Sequence, residues 1–132
     1  MTNNTDIKTV ISETVEQTVL KLKMTRLLKE DHANTVKKTE WVLKNYTQLK
    51  KAHSEDGTAA KFASIVENAL KEIEDDEYYS IIPMSYFEGE TRETLAEFFD
   101  TTVTTISRNK TRLLHKLATL IFADDVVKEL FL

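Results

Sequence analysis

Three residues in a chain of 132 punctuate the backbone: Gly57, Pro83 and Gly89. Average usage would supply about 7% glycine and 5% proline, and hairpins and tight turns draw heavily on both. A chain so short of turn formers has few ways to reverse a strand. Helices joined by brief polar turns are what it can build, so an all-α fold is expected. No cysteine is present, which removes disulfide scaffolds, thiolate zinc sites and cysteine nucleophiles and suits a reducing compartment. Stability must then come from packing, and 41% hydrophobic against 30% charged residues supplies one domain's worth of core. No run reaches the roughly 18 apolar residues of a membrane span. The start, MTNNTDIKTV, has no apolar signal-peptide region. A cytoplasmic location away from membranes is the expectation.

Hydrophobic periodicity divides the chain. Ile7, Ile11, Val15, Val19 and Leu22 predict a long first helix over 7–28, with Lys21, Lys23, Arg26 and Lys29 near its carboxyl end, where cations complement the helix dipole. Asn34-Thr35 offers a cap for a second helix carrying Val36, Leu43, Tyr46 and Leu49 and ending near Ala52. Ser54-Glu55-Asp56-Gly57-Thr58 is the clearest turn, and it separates a helical region 1–57 from a second region 58–132. Phe62, Ile65, Val66, Ala69, Leu70 and Ile73 share one face of a helix over 58–73. The run Glu74-Asp75-Asp76-Glu77 reads as a solvated junction and the start of another helix. Residues 78, 81, 82 and 86 form a stripe that Pro83 must kink, or break into a short helix with Pro83 in its first turn.

The net charge of −4 argues against nucleic acid until it is read by segment. Residues 72–100 hold ten acids and one base, whereas 101–123 hold four bases and no acid. That acid-free stretch coincides with the most informative motif. Thr91 can cap a helix with Glu93 in its first turn, and Leu95, Phe98 and Phe99 form its expected buried side. Ala96 is small where two crossing helices must approach closely. Asp100-Thr101-Thr102 supplies a tight turn, Thr102 caps the next helix, and Ile106 returns to the core ahead of Leu113, Leu114 and Leu117. The expected helix-turn-helix spans about 91–117.

With those apolar positions inward, Thr102, Val103, Thr104, Ser107, Arg108 and Thr111 face outward at the amino-terminal end of the second helix, the end that enters a major groove in such motifs. Hydroxyl side chains allow close approach, Val103 can meet a thymine methyl, and Arg108 can pair with guanine. Lys110, Arg112 and Lys116 lie further along and suit phosphates, which set affinity and register. Double-stranded DNA is therefore the expected partner.

The residues 86–91, then Leu95-Ala96-Glu97-Phe98-Phe99, then Thr102 to Arg112, resemble the helix-turn-helix of bacterial sigma-factor region 4. With its preceding helices and the ending from Leu113 to Phe122, the chain resembles the ArpU/RinA-type late transcriptional regulators of phages and prophages, most strongly over about 78–123. Asp100 and Thr101 stand where such motifs carry glycine and an apolar residue. The resemblance implies a small DNA-binding activator of late genes for packaging, morphogenesis or lysis. Host RNA polymerase is a further expected partner, and a homodimer on paired half-sites is compatible with it. The alternatives from other classes are a helical protein-binding adaptor and a sigma-like factor acting within polymerase.

Catalysis finds no footing. His32, His53 and His115 are scattered, no HExxH spacing or glycine-rich phosphate cradle occurs, and residues 74–77 lack calcium-loop spacing. Neither enzyme activity nor a cofactor or metal is expected. Trp41 with Tyr46, and Tyr78-Tyr79 with Tyr86-Phe87, fall at helical spacing and read as core. The apolar ending Val126, Val127, Leu130, Phe131 and Leu132 must fold back or meet a partner.

Overall fold

The computed structural model describes Leu22 and residues 35–51 and 57–122. Leu22 is helical and exposed; the rest of the expected first helix and the apolar carboxyl-terminal ending lie outside the described residues. The described part is all-α. Its helices are α1 (Thr35–Lys44), α2 (Tyr46–Lys51), α3 (Thr58–Ile73), α4 (Ile81–Tyr86), α5 (Arg92–Phe98) and α6 (Val103–Ile121).

The single helix expected over 34–52 is interrupted at Asn45. Its side-chain amide donates to the Trp41 carbonyl at 2.7 Å, and its backbone N–H is shared between the carbonyls of Trp41 and Val42 at 3.1 and 3.2 Å. Short polar side chains that bond their own backbone compete with the helical ladder, and the chain bends there into α2. Gly57 ends the next connection with φ 68°, a left-handed conformation open to glycine at little cost. α3 then follows over the residues that its apolar spacing marks, burying Phe62, Val66, Ala69, Leu70 and Ile73.

The acidic run does not begin a helix. Residues 74–80 form successive turns, and α4 starts only at Ile81. Asp76 accounts for the difference, because its carboxylate accepts the Tyr78 N–H at 2.9 Å and holds the turn. Pro83 is the third residue of α4. The amide it lacks would have had no partner within the first turn, so the short helix accommodates it, and Ile81 and Ile82 just before it are fully buried.

α6 organises the molecule. At 19 residues it is about 28 Å long, and it packs against α1, α3, α4 and α5. Its carboxyl-terminal half contributes Leu113, Leu114, Leu117 and Ile121 to a core shared with Val42, Leu43 and Leu49 from α1 and α2, with Phe62, Val66 and Leu70 from α3, and with Ile82. Residues on both sides of Gly57 thus belong to one buried cluster. Its amino-terminal half joins a second, smaller cluster of Ile81, Leu95, Ala96 and Ile106. Each fully buried leucine or isoleucine contributes about 1.5–3 kcal/mol, so α6 is anchored chiefly by its far end. The near end is left to present side chains.

Of the aromatics expected in the core, Trp41, Tyr46, Tyr78, Tyr79 and Tyr86 are partly buried against it, whereas Phe87 is exposed. Tyr46 and Phe87 have ring centroids 5.5 Å apart, and Tyr78 and Phe99 5.2 Å apart, while Trp41, Tyr79 and Tyr86 lie against the main cluster.

Candidate nucleic-acid interface

α5 and α6 are set by two equivalent caps. The Thr94 N–H donates to Thr91 Oγ1 and the Thr105 N–H to Thr102 Oγ1, each at 3.2 Å. These threonines satisfy amides that the first turn of a helix leaves without partners. Between the helices, Thr101 N–H donates to the Ala96 carbonyl at 2.9 Å and Asp100 N–H to the Glu97 carbonyl at 3.2 Å. This six-to-one, five-to-two pairing closes a helix when the residue past its cap is left-handed. That residue is Asp100, with φ 51°. A left-handed L-residue costs about 1–2 kcal/mol, less for aspartate. Asp100→Gly is therefore expected to stabilise the protein by up to about 1 kcal/mol and raise its melting temperature by a few degrees, whereas Asp100→Val lowers it. Thermal unfolding followed by circular dichroism checks both.

The crossing places Leu95 and Ile106, both fully buried, against each other's helices, with Ala96 8% exposed. Phe98 departs from expectation. Leu95, Ala96 and Phe99 centre the inward face at helical spacing, so Phe98 projects from its flank, 62% exposed and edge-on to Phe99 at 5.0 Å.

The nine candidate residues fall into two groups. Thr102, Val103, Thr104, Arg108 and Thr111 are exposed and Ser107 is partly so, together forming one face of the first three turns of α6. The other three cations each make an internal contact. Lys110 is half-buried with its Nζ 4.8 Å from the centroid of the Tyr86 ring. Burial depresses its pKa against the pull of Glu40, and nearby Arg92 and Lys44 depress it further. Arg112 donates both terminal nitrogens to Asp76, at 2.7 and 2.8 Å, and its Nε to Asn109 Oδ1 at 3.2 Å. Lys116 Nζ stands 3.7 Å from Asp76, its side chain 55% exposed. Of the four cations on α6, only Arg108 has no such contact among the described residues.

Two contributors had no signal in the sequence. Asp76 ties the α3–α4 junction to α6 from 36 positions away. Arg92, the first residue of α5, reaches the exposed face of α6 and donates to Ser107 Oγ at 3.3 Å. No periodicity links residues at such separations.

The Arg112 guanidinium holds the Asp76 carboxyl well below the usual carboxylate range, against an opposing effect of burial; the Tyr78 N–H and Lys116 assist. A carboxyl with a depressed native pKa stabilises the fold above its unfolded pKa of about 3.9, and that contribution disappears as pH falls through the native value. With Arg112 40% exposed, solvent screening limits the pair to about 1 kcal/mol. Asp76→Asn is expected to lose stability at pH 7 and to narrow its deficit against the parent protein as the solution is acidified below about pH 4. Urea unfolding at several pH values measures this.

A shallow cleft of about 520 Å³ between the end of α3 and the far half of α6 is lined by Glu72, Asp75, Asp76 and Lys116 among others. Its carboxylates disfavour phosphate. Among the described residues no group of histidine and carboxylate side chains could hold a metal ion, and no helix is long and apolar enough to cross a membrane.

The described part is an all-α protein with a tightly turned helical pair at one end of its longest helix. Comparison with known protein families, curated proteins and solved structures finds no match to this chain.

Proposed function

We propose that the chain is a sequence-specific regulator of transcription that binds double-stranded DNA through a helix-turn-helix formed by α5 and α6. One observation carries the reading. The amino-terminal three turns of α6 expose Val103, Thr104, Arg108 and Thr111, with Ser107 partly exposed, on a helix that bears no acidic residue. An α-helix fits the major groove, and small hydroxyl side chains beside one arginine match the chemistry of base edges there. The anchoring of α6 by its far end supports the same role, since a reading helix must be held rigidly away from the surface it presents. The acidic surface over 72–100 and the net charge of −4 restrain indiscriminate phosphate binding, leaving selectivity to the exposed face.

Within this reading, the resemblance to ArpU/RinA-type regulators and to sigma-factor region 4 makes the protein an activator of phage or prophage late genes in a bacterial cytoplasm. It binds as a monomer or homodimer beside host RNA polymerase. Phe98, large and exposed on the flank of α5, supports a protein contact made alongside DNA rather than in place of it. Selection by the full chain from a library of randomised duplexes tests the proposal. Enrichment of one motif several base pairs long is expected; a selected pool indistinguishable from its starting library contradicts it.

A further inference from the structure

We infer that Arg92, from outside the reading helix, is a phosphate-contacting residue that flanks the base-reading face and orients Ser107 within it. The inference rests on the DNA-binding reading above. Arg92 opens α5 directly after the Thr91 cap, a position at the positive end of a helix where an acid, not a base, is electrostatically favoured. Its surroundings add to that cost. Arg92 and Lys44 both lie close enough to Lys110 to influence it, so cations from α5, α1 and α6 gather at one corner. Glu88, Glu90 and Glu93 are near in sequence, yet among the described residues Arg92 pairs with no carboxylate. Among the described residues its one side-chain hydrogen bond, Nη1 to Ser107 Oγ at 3.3 Å, carries the guanidinium to the exposed face of α6. Glu40 is the one carboxylate that acts on Lys110 at this corner, against the two cations Arg92 and Lys44; the surplus of positive charge that remains is relieved by an external anion.

The disposition of the other cations makes this position matter. Lys110 is spent on the Tyr86 ring and Arg112 on Asp76, so α6 offers fewer phosphate contacts than its composition suggests. A guanidinium has five donors in a planar fork. One of them, given to Ser107, leaves the rest for a phosphate oxygen on the strand bordering the groove. The same bond fixes the Ser107 hydroxyl as an acceptor from Arg92, which leaves its proton available to a base acceptor.

The test uses the full chain, the duplex it selects and a random duplex of equal length, with affinities measured over a range of salt concentrations. Arg92→Ala is expected to weaken the random duplex by about tenfold and the selected duplex by more, because the Ser107 hydroxyl is no longer oriented, and to reduce the slope of log affinity against log salt by about 0.9 on both, the loss of one phosphate contact. Arg92→Lys, which keeps the charge but not the fork, is expected to retain the parent slope. Arg92 is exposed, and an unchanged circular dichroism spectrum separates these effects from misfolding. Parent affinity and parent slope in Arg92→Ala overturn the assignment while leaving the DNA-binding reading intact, as does a loss confined to the selected duplex. Failure of the parent chain itself to bind any duplex removes both.

Discussion

Replacing Arg108 with alanine is expected to lower the preference of the protein for its selected duplex over random DNA by about 5- to 150-fold, the equivalent of the roughly 1–3 kcal/mol that one bidentate base contact contributes. The prediction rests on contrast among the cations of α6. Lys110 lies over an aromatic ring, Arg112 is bidentate with Asp76, and Lys116 is within reach of the same carboxylate. Arg108 is exposed, two turns into α6 from its cap, and sits beside Ser107 and Thr111 on the presented face. It alone can give its full fork to a guanine edge without first breaking an internal contact. Affinity for random DNA should fall much less than affinity for the selected duplex. Competition binding against both duplexes decides it, and equal losses on the two would remove Arg108 from base reading and leave it a phosphate contact.

Ile106→Ala is expected to cost about 2–5 kcal/mol of stability, with a melting temperature lower by roughly 10 °C or more. Ile106 is fully buried in a cluster whose other buried members are only Ile81, Leu95 and Ala96. So small a cluster has few neighbours able to collapse into the space left behind, and relaxation into a cavity is what moderates such losses. The damage should be local. Leu113, Leu114, Leu117 and Ile121 remain anchored in the larger core, so hydrogen exchange should quicken in α5 and the first turns of α6 while protection near Leu117 persists. Loss of DNA binding would follow from misplacement of the presented face. Unchanged exchange in α5 would show that the helical pair does not depend on this cluster.

Much of this architecture was legible in residue spacing. The bounds of α3 follow from its apolar face. The Thr91 and Thr102 caps, the inward Ile106 and the short helix around Pro83 each follow from a local rule whose partners lie within four residues. What was not legible depends on contacts between distant residues or on competition within a turn. Asp76 looked like one solvated acid among four, yet it is 36 residues from the arginine that it holds. Lys110 and Arg112 belonged to a basic stripe by composition, and only the packing of α4 and of the α3–α4 junction against α6 reveals what engages them. Phe98 is apolar and falls with Leu95 and Phe99 on the expected buried side, but a seven-residue helix with Leu95, Ala96 and Phe99 on one face has no inward place left for it. Asn45 broke a helix through a side-chain bond that apolar periodicity does not register.

The central claim is that the exposed amino-terminal face of α6 reads DNA sequence. The most direct measurement is the ratio of affinities of the full chain for its best selected duplex and for random duplex, at one near-physiological salt concentration. A sequence-reading face predicts a ratio of about 10³ or more. A ratio below about tenfold would mean that phosphate attraction accounts for the binding, and would contradict the account.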